Sequence, residues 1–337
     1  MSNSKPTAPR ASGAAAHAPG ATNVALHRYA VIVAVCTGLL VFAGGLVKST
    51  ESGLSVPDWP LSFGKLMPPM VGGVLYEHGH RMVATAVGML TIVLAVWLWR
   101  REPRRWVRRL GPAALAAVIV QGLLGGLTVL LKLPAPVSVA HALVGQTFFC
   151  IVVSIALFTS GGWRALGAQR EEAGGGPSLR MLALLSTIAV YVQLLLGAWM
   201  RHTEAGLAIP DFPLAFGGLV PPFDRPGVPI HFAHRVWALV VTCLSIVTVG
   251  RVFQRHRELP VLVNPALLLS TLVIAQVCLG GVIIWTHRAV HPTTLHVLNG
   301  AVVLATSLVL TLRAYRLTTP VPEAVAFAPI RAERAAT

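Results

Sequence analysis

The sequence predicts an all-α integral membrane protein whose eight transmembrane helices form two tandem four-helix bundles related by pseudo-twofold symmetry. Hydrophobic residues make up 55% of its 337 residues and charged residues only 12%, with a mean hydropathy of +0.70. This composition excludes an ordinary soluble domain. Eight segments are long and apolar enough to cross a bilayer, which needs about 20 residues. In addition, one loop sequence occurs twice.

The eight spans divide into two sets of four, so both halves have the same orientation and the symmetry axis runs along the membrane normal. The predicted organisation is a disordered tail at 1–25, an N-terminal half at 26–160, a cytoplasmic linker at 161–180, a C-terminal half at 181–315 and a second disordered tail at 316–337. We expect the spans near residues 29–47, 81–99, 110–131, 137–159, 181–200, 232–250, 262–286 and 293–312.

The duplicated loop occupies residues 50–69 and again residues 203–222, at an offset of 153. Both copies carry Thr-Glu, Gly-Leu, Pro-Asp, an aromatic residue and a Pro-Pro pair in the same order, which indicates an internal duplication. The prolines exclude a continuous helix, so we expect long loops that cover one end of each half. Glu51 and Glu204 recur with a glycine after them, and we predict that they fold the loops rather than catalyse.

The formal net charge of +15 does not require a nucleic-acid partner, because most of the 27 lysines and arginines lie in the tails or in the connections after the even-numbered spans. By the positive-inside rule these connections face the cytoplasm. The prediction is a multi-pass protein of the cell inner (plasma) membrane, with both termini cytoplasmic and the duplicated loops at the outer face. The four cysteines fall within spans and behave as small apolar residues.

Each half carries two matched histidines near the outer face. His80 and His234 open spans two and six at an offset of 154, and His141 and His296 lie one turn inside spans four and eight at an offset of 155. Ionisable residues inside a membrane are costly and usually functional. In a four-helix bundle the second and fourth helices can face each other, and two imidazoles can ligate one haem iron axially.

Zinc or copper is an alternative metal for these histidines. A closed zinc site takes four ligands, and no cysteine or acidic residue completes either pair. The favoured prediction is therefore iron, in two bis-histidine haem sites with one site in each half.

The residues around the histidines differ between the halves. Glu77 stands three residues before His80, whereas the second half has His231 there, and a carboxylate one turn from an iron ligand suits proton transfer. Arg81 and Arg235 follow the histidines and are candidate contacts for haem propionates, with ordinary interfacial arginine as the alternative. Four further outer histidines lack a match and are expected to be solvated or near propionates: His78, His202, His287 and His291.

Small residues form a pair in the outer part of every odd-numbered span. These pairs predict close helix packing, or a gap that admits the face of a macrocycle. Three of these spans also carry a glutamine four residues earlier, which we expect to form interhelical hydrogen bonds. The pairs are 44–45, 125–126, 197–198 and 280–281, and the glutamines are Gln121, Gln193 and Gln276.

With these residues the chain resembles the haem A synthase family over about residues 25–315. The resemblance rests on eight spans in two repeats, the duplicated loop, Glu77-x-x-His80-Arg81, His141, His234-Arg235 and His296. It implies oxidation of the C8 methyl of haem O to the formyl group of haem A, which is supplied to cytochrome oxidase.

The resemblance also implies roles for single residues. His80 and His141 would hold the substrate haem O, His234 and His296 would ligate a haem b cofactor, and Glu77 would be catalytic. Some members of the family carry a cysteine pair in the first outer loop, whereas residues 48–79 contain no cysteine. Besides haem O and lipid, candidate partners are haem O synthase, cytochrome oxidase assembly factors and a second copy of the chain.

Three other classes of membrane protein are alternatives to this function. A non-enzymatic bis-haem electron-transfer cytochrome would use the same four histidines but would not need Glu77. A transporter would place its polar groups near the bilayer midplane, whereas here they cluster at one face. A prenyltransferase would need a paired Asp-rich motif, and the chain has only three aspartates, Asp58, Asp211 and Asp224.

Overall fold

The computed structural model describes residues 23–167, 169–170 and 176–319, and this part of the chain is almost entirely helical. A 3-10 turn covers Ala205–Leu207, and two-residue strands β1 (Gln169–Arg170) and β2 (Thr318–Thr319) pair in parallel. The helices are α1 (Val24–Ser49), α2 (Gly73–Arg101), α3 (Arg105–Arg108), α4 (Leu110–Leu130), α5 (Ala135–Thr159), α6 (Gly161–Ala165), α7 (Leu179–His202), α8 (Val228–Arg255), α9 (Pro260–Trp285) and α10 (Val290–Leu317).

Within the described residues, eight helices are long and apolar enough to cross a membrane, and α3 with α4 forms the third span. The existence and order of the eight predicted spans are confirmed. Their predicted ends lie within five residues of the observed helix ends, except at the start of the second span. Helix α2 begins at Gly73 rather than near residue 81, because its first turns include polar residues that lower the hydropathy.

The longer helices correct two further predictions. His80 and His234 do not open their spans but lie about two turns inside them. Helices α1 and α10 take in residues 24–25 and 316–317, which were assigned to disordered tails. The other tail residues fall outside the described residues, except for residue 23 and the β2 strand, and so do residues 168 and 171–175 of the linker.

The helices of each half form a closed ring. In the first half α1 packs against α2 and α5, and α4 packs against the same two helices. In the second half α7 packs against α8 and α10, and α9 packs against the same two. Helices α2 and α5 therefore stand at opposite corners of one ring, and α8 and α10 at opposite corners of the other.

The two rings meet through α1 and α5 of the first half and α7 and α10 of the second. Ala301 and Ala305 of α10 join the hydrophobic cluster of the first half, so this packing is continuous across the boundary. Hydroxyl pairs link helices within the second half, as between Ser186 and Thr248 at 2.8 Å. Such bonds and small residues hold helices together where lipid is as apolar as the helix surface.

The duplicated loops fold alike. Asp58 accepts hydrogen bonds from the amides of Phe63 (2.7 Å) and Gly64 (2.8 Å). In the second loop Asp211 accepts from Phe216 and Gly217 at the same two distances. Each carboxylate thereby closes a tight turn whose two amide donors have positive φ. The predicted non-helical loops are confirmed, and their shared fold is the structural result of the shared sequence.

Candidate functional site

The four matched histidines occupy equivalent places in the two rings. His80 on α2 and His141 on α5 stand at opposite corners of the first ring, and His234 on α8 and His296 on α10 at opposite corners of the second. The side chains of His80 and His141 are close enough to interact electrostatically, and so are those of His234 and His296. The structure thus brings the predicted residues together in two pairs.

Each histidine packs against a glycine of the preceding transmembrane helix. A Cβ added to Gly44, Gly125 or Gly197 would lie 3.1, 3.1 or 3.0 Å from Cε1 of its histidine, and one on Gly280 would lie 3.6 Å away. These are the first members of the predicted small pairs. They leave room for an imidazole edge against the helix backbone.

The second members of the pairs receive other groups. A Cβ on Gly126 would lie 2.6 Å from the Trp59 ring, and one on Gly281 would lie 2.9 Å from the Phe212 ring. The duplicated loop aromatics therefore rest on α4 and α9. Gly45 instead faces Thr294 of the other half, at 3.2 Å from its added Cβ. At these three described positions, the small size of the residue allows close packing of a neighbouring side chain.

The glutamines reach the histidine-bearing helices, as predicted. Nε2 of Gln121 lies 3.3 Å from Nε2 of His141, and Nε2 of Gln193 lies 3.3 Å from Nε2 of His234. Gln276 donates instead to the carbonyl oxygen of His296 at 3.1 Å. The corresponding position in α1 is Leu40, so His80 has no glutamine of this kind.

Nδ1 of all four histidines is buried and has no hydrogen-bond partner among the described residues. Buried polar atoms are normally satisfied, and an unsatisfied one calls for an explanation. A neutral imidazole offers one lone pair, which can bond a metal. Two such nitrogens at opposite corners of each ring of helices could hold one haem iron in each half.

A zinc site is not supported by the same residues. Within residues 23–167, 169–170 and 176–319, no group of three or more His, Cys, Asp or Glu side chains is placed to hold a metal ion. The alternative of a closed four-ligand site therefore lacks its ligands in this part of the chain.

Glu77 and His231 lie against corresponding groups, a loop amide and an arginine one turn later. The Val56 amide donates to Glu77 Oε2 at 2.9 Å, and Arg81 donates to Glu77 Oε1 at 2.6 Å. In the second half the Ile209 amide donates to His231 Nδ1 at 3.2 Å, and Arg235 Nε lies 3.1 Å from His231 Nε2. The position fastens the loop in both halves, and only the first half does so with a carboxylate.

The side chains of Arg81 and Arg235 reach into the duplicated loops. Arg81 donates to the carbonyl oxygens of Asp58 (2.7 Å) and Leu61 (3.0 Å). Arg235 donates to those of Asp211 (2.7 Å) and Leu214 (2.9 Å). Sequence reasoning missed this loop contact, although the joint repetition of loop and arginine was a signal for it. A propionate contact by either arginine stays a prediction.

The unmatched histidines divide into buried and exposed ones. His287 and His291 are exposed, as expected. His78 was expected to be solvated or near a propionate, but it is buried under the loop with Nδ1 2.8 Å from Ser62 Oγ. Its counterpart is Phe232, so this polar contact belongs to the first half. His202 is partly buried and interacts electrostatically with His141.

Glu51 and Glu204 meet where the two halves join. Lys48 pairs with Glu51 at 3.1 Å and also with Glu204, and Arg288 pairs with Glu51 at 3.0 Å and Glu204 at 2.8 Å. Partial burial raises the pKa of Glu204, but the bonds from Lys48 and Arg288 outweigh this and hold it below its usual value. Sequence reasoning missed this network because neither basic residue has an identical counterpart in the repeat.

Comparisons with known proteins agree with this arrangement. The COX15-CtaA family, described as cytochrome oxidase assembly protein, matches residues 27–73 and 71–308. A heme A synthase of Shouchella clausii is 32% identical over 269 residues, covering 78% of this chain and 88% of that protein. A heme A synthase of Alkalihalophilus pseudofirmus is 29% identical over 275 residues, covering 80% and 91%. The chain therefore belongs to the COX15-CtaA family of cytochrome oxidase assembly proteins.

Proposed function

We propose that this protein is a haem A synthase, which oxidises the C8 methyl of haem O to a formyl group and so makes haem A for cytochrome oxidase. The observation that carries this proposal is the set of four buried histidine Nδ1 atoms, unpartnered among the described residues and arranged as two pairs at opposite corners of two helix rings. The relatives named heme A synthase support it, because they align with both halves.

In this proposal the two pairs have different tasks. His234 and His296 hold a resident haem b, and His80 and His141 hold the substrate haem O. At the imidazoles the glutamine contacts are alike, one in each half, and the second half adds a hydrogen bond from Gln276 to the backbone carbonyl oxygen of His296. This additional bond ties α9 to the part of α10 that carries His296, which suits a permanent cofactor, whereas a substrate has to leave.

A haem bound to His234 and His296 would supply one-electron redox chemistry. The protein's own task in the first half is to hold haem O and to move protons, because conversion of a methyl to a formyl group removes C–H hydrogens as protons and electrons, and the electrons must pass to an external acceptor. We assign the proton-transfer role to Glu77. Two contacts support it: Val56 and Arg81 fix its carboxylate one helical turn from His80.

The proposal includes the place of the reaction in the cell. The protein lies in the plasma membrane with both termini in the cytoplasm, and the haem sites lie near the outer face. The helix ends that carry the histidines are opposite the ends that carry the arginine-rich connections, which supports this orientation. Haem O reaches the first half as substrate. Haem O synthase and cytochrome oxidase assembly factors remain candidate partners.

The test is the haem content of the full-length protein purified from cells with and without a haem O source. We expect haem A only when the haem O source and this chain are both present. A His80→Ala variant serves as a control, because it should keep the resident haem and lose haem A. Unchanged haem b in every preparation, with no haem A, would instead identify an electron-transfer cytochrome.

A further inference from the structure

The first helix of each half carries a basic residue one turn beyond the glycine that faces a histidine. In α1 Lys48 follows Gly44, and in α7 Arg201 follows Gly197, four residues apart in both cases. Residues at this spacing share a helix face. Each half therefore has a cation on the face of this helix that contacts its first histidine, on the outer side of that contact.

The two cations differ in how they contact Glu51 and Glu204. Lys48 forms ion pairs with both carboxylates, whereas Arg201 interacts with them only at longer range and is repelled by Arg288. Arg201 forms no ion pair with any described residue: its Nη2 donates to the carbonyl oxygen of Gly45 at 2.9 Å and to Ser49 Oγ at 2.8 Å. Its Nε and Nη1 have no hydrogen-bond partner among the described residues, since both of its hydrogen bonds use Nη2.

The position of Arg201 relates it to both histidines of the second half. Gly197, on the same face of α7, contacts the ring of His234. Arg201 itself interacts electrostatically with His296. A partly buried guanidinium is stabilised by an anion that it can bond, and a planar carboxylate fits its paired donors. Arg81 and Arg235 differ from Arg201 because both of their terminal nitrogens already donate hydrogen bonds, mainly to loop carbonyl oxygens.

We propose that Arg201 binds a propionate carboxylate of the haem held by His234 and His296, and that this contact makes the second site retain its haem. The first half has Lys48 at the equivalent place, already neutralised by two glutamates, and its site therefore holds haem less tightly. This inference rests on the proposed function, and it explains how a duplicated fold acquires one resident haem and one exchangeable haem.

The test is the rate at which the full-length protein loses haem to an excess of apomyoglobin. All variants carry His141→Ala, so that haem is read from the second half alone. We expect Arg201→Gln to speed haem loss about tenfold or more, the value of one charge-assisted bond. Arg201→Lys should fall between it and the parent, and Lys48→Gln should match the parent.

Ser49→Ala separates a haem contact from a role in joining the halves. It removes one hydrogen bond of Arg201 but keeps the charge, so it should not change the rate of haem loss. Equal haem loss in Ser49→Ala and Arg201→Gln, or no change in Arg201→Gln, would overturn the inference and leave the proposed function standing. A His296→Ala protein that still held this haem would contradict the proposed function itself.

Discussion

The position shared by Glu77 and His231 keeps its contacts across the duplication and changes its chemistry. Both side chains accept a hydrogen bond from a loop amide, and both lie beside the arginine one turn later, but only Glu77 forms an ion pair with it. A change of Glu77 to histidine therefore keeps an acceptor for the loop amide, as in the second half, and loses the ion pair. This substitution removes the carboxylate but keeps a ring nitrogen that can accept the hydrogen bond from the Val56 amide.

The first prediction uses this exchange. In Glu77→His and Glu77→Gln the fold and the second-half haem should persist, while haem A formation falls about 10²–10⁴-fold, as for loss of a positioned proton-transfer group. Haem O or its hydroxymethyl form should accumulate in the purified protein, as measured by chromatography of extracted haem. As a control, His231→Gln should leave the reaction near the parent rate. Normal haem A formation by Glu77→Gln, which cannot transfer a proton, would show that Glu77 serves only to hold the loop.

The second prediction compares two glycines that face the two ligands of one haem. An added Cβ lies 3.0 Å from the His234 ring at Gly197 but 3.6 Å from the His296 ring at Gly280. Gly197→Ala should displace its ring, at a cost of about 1–3 kcal/mol typical of overpacking, and alter the low-spin haem spectrum. Gly280→Ala has ordinary contact distance and should keep that spectrum. Equal spectra in both variants would show that ring placement does not depend on these glycines.

The tight turn in each duplicated loop is held by one aspartate carboxylate. The amides of Gly64 and Phe63 hold the pKa of Asp58 below its usual value, and those of Gly217 and Phe216 do the same for Asp211. A depressed carboxyl pKa in the folded protein contributes stability above the unfolded value of about 4. That contribution is lost as the pH falls through the lower folded value.

The third prediction is a loop that loosens in acid. A spin label at Lys65→Cys, in a background without the native cysteines, should become more mobile as the pH falls below about 4. Asp58→Asn should make this label mobile at neutral pH and abolish most of the acid step. A label at Leu219→Cys, in the second loop, should respond to Asp211→Asn and not to Asp58→Asn. A rigid label in Asp58→Asn at neutral pH would contradict the role of this turn.

The number and order of the membrane helices could be predicted from the sequence, but some of their ends and contacts could not. Hydropathy identified all eight spans, because a bilayer requires one long apolar segment for each crossing. It placed the start of α2 too late, because Glu77 and His78 count as polar although the loop satisfies both. The facing histidines followed from the repeat. The loop contacts of Arg81 and the ionic network around Glu51 could not be predicted from the repeat, because they depend on how the loops pack on the helices and how the two halves pack together.

In the whole molecule the halves are joined on one side of the membrane by charge. Glu51 and Glu204 come from different loops, and Lys48 and Arg288 each bridge both of them. The same boundary lies beside both histidine pairs, since His202 interacts electrostatically with His141 and Arg201 with His296. The end of α7 therefore lies between the two histidine pairs.

The last prediction concerns the orientation of the whole molecule, on which the place of haem A synthesis depends. The exposed residues Lys65 and Leu219 lie in the duplicated loops, and the exposed Arg105 begins α3 at the opposite end of the bundles. In a background without native cysteines, Lys65→Cys and Leu219→Cys should react with a membrane-impermeant maleimide on intact cells. Arg105→Cys should react only after permeabilisation, because we propose from the positive-inside rule that the arginine-rich connections face the cytoplasm. The reverse labelling pattern would show that the protein has the opposite orientation, with both histidine pairs at the cytoplasmic face. Haem A would then be made on the side opposite to the one proposed.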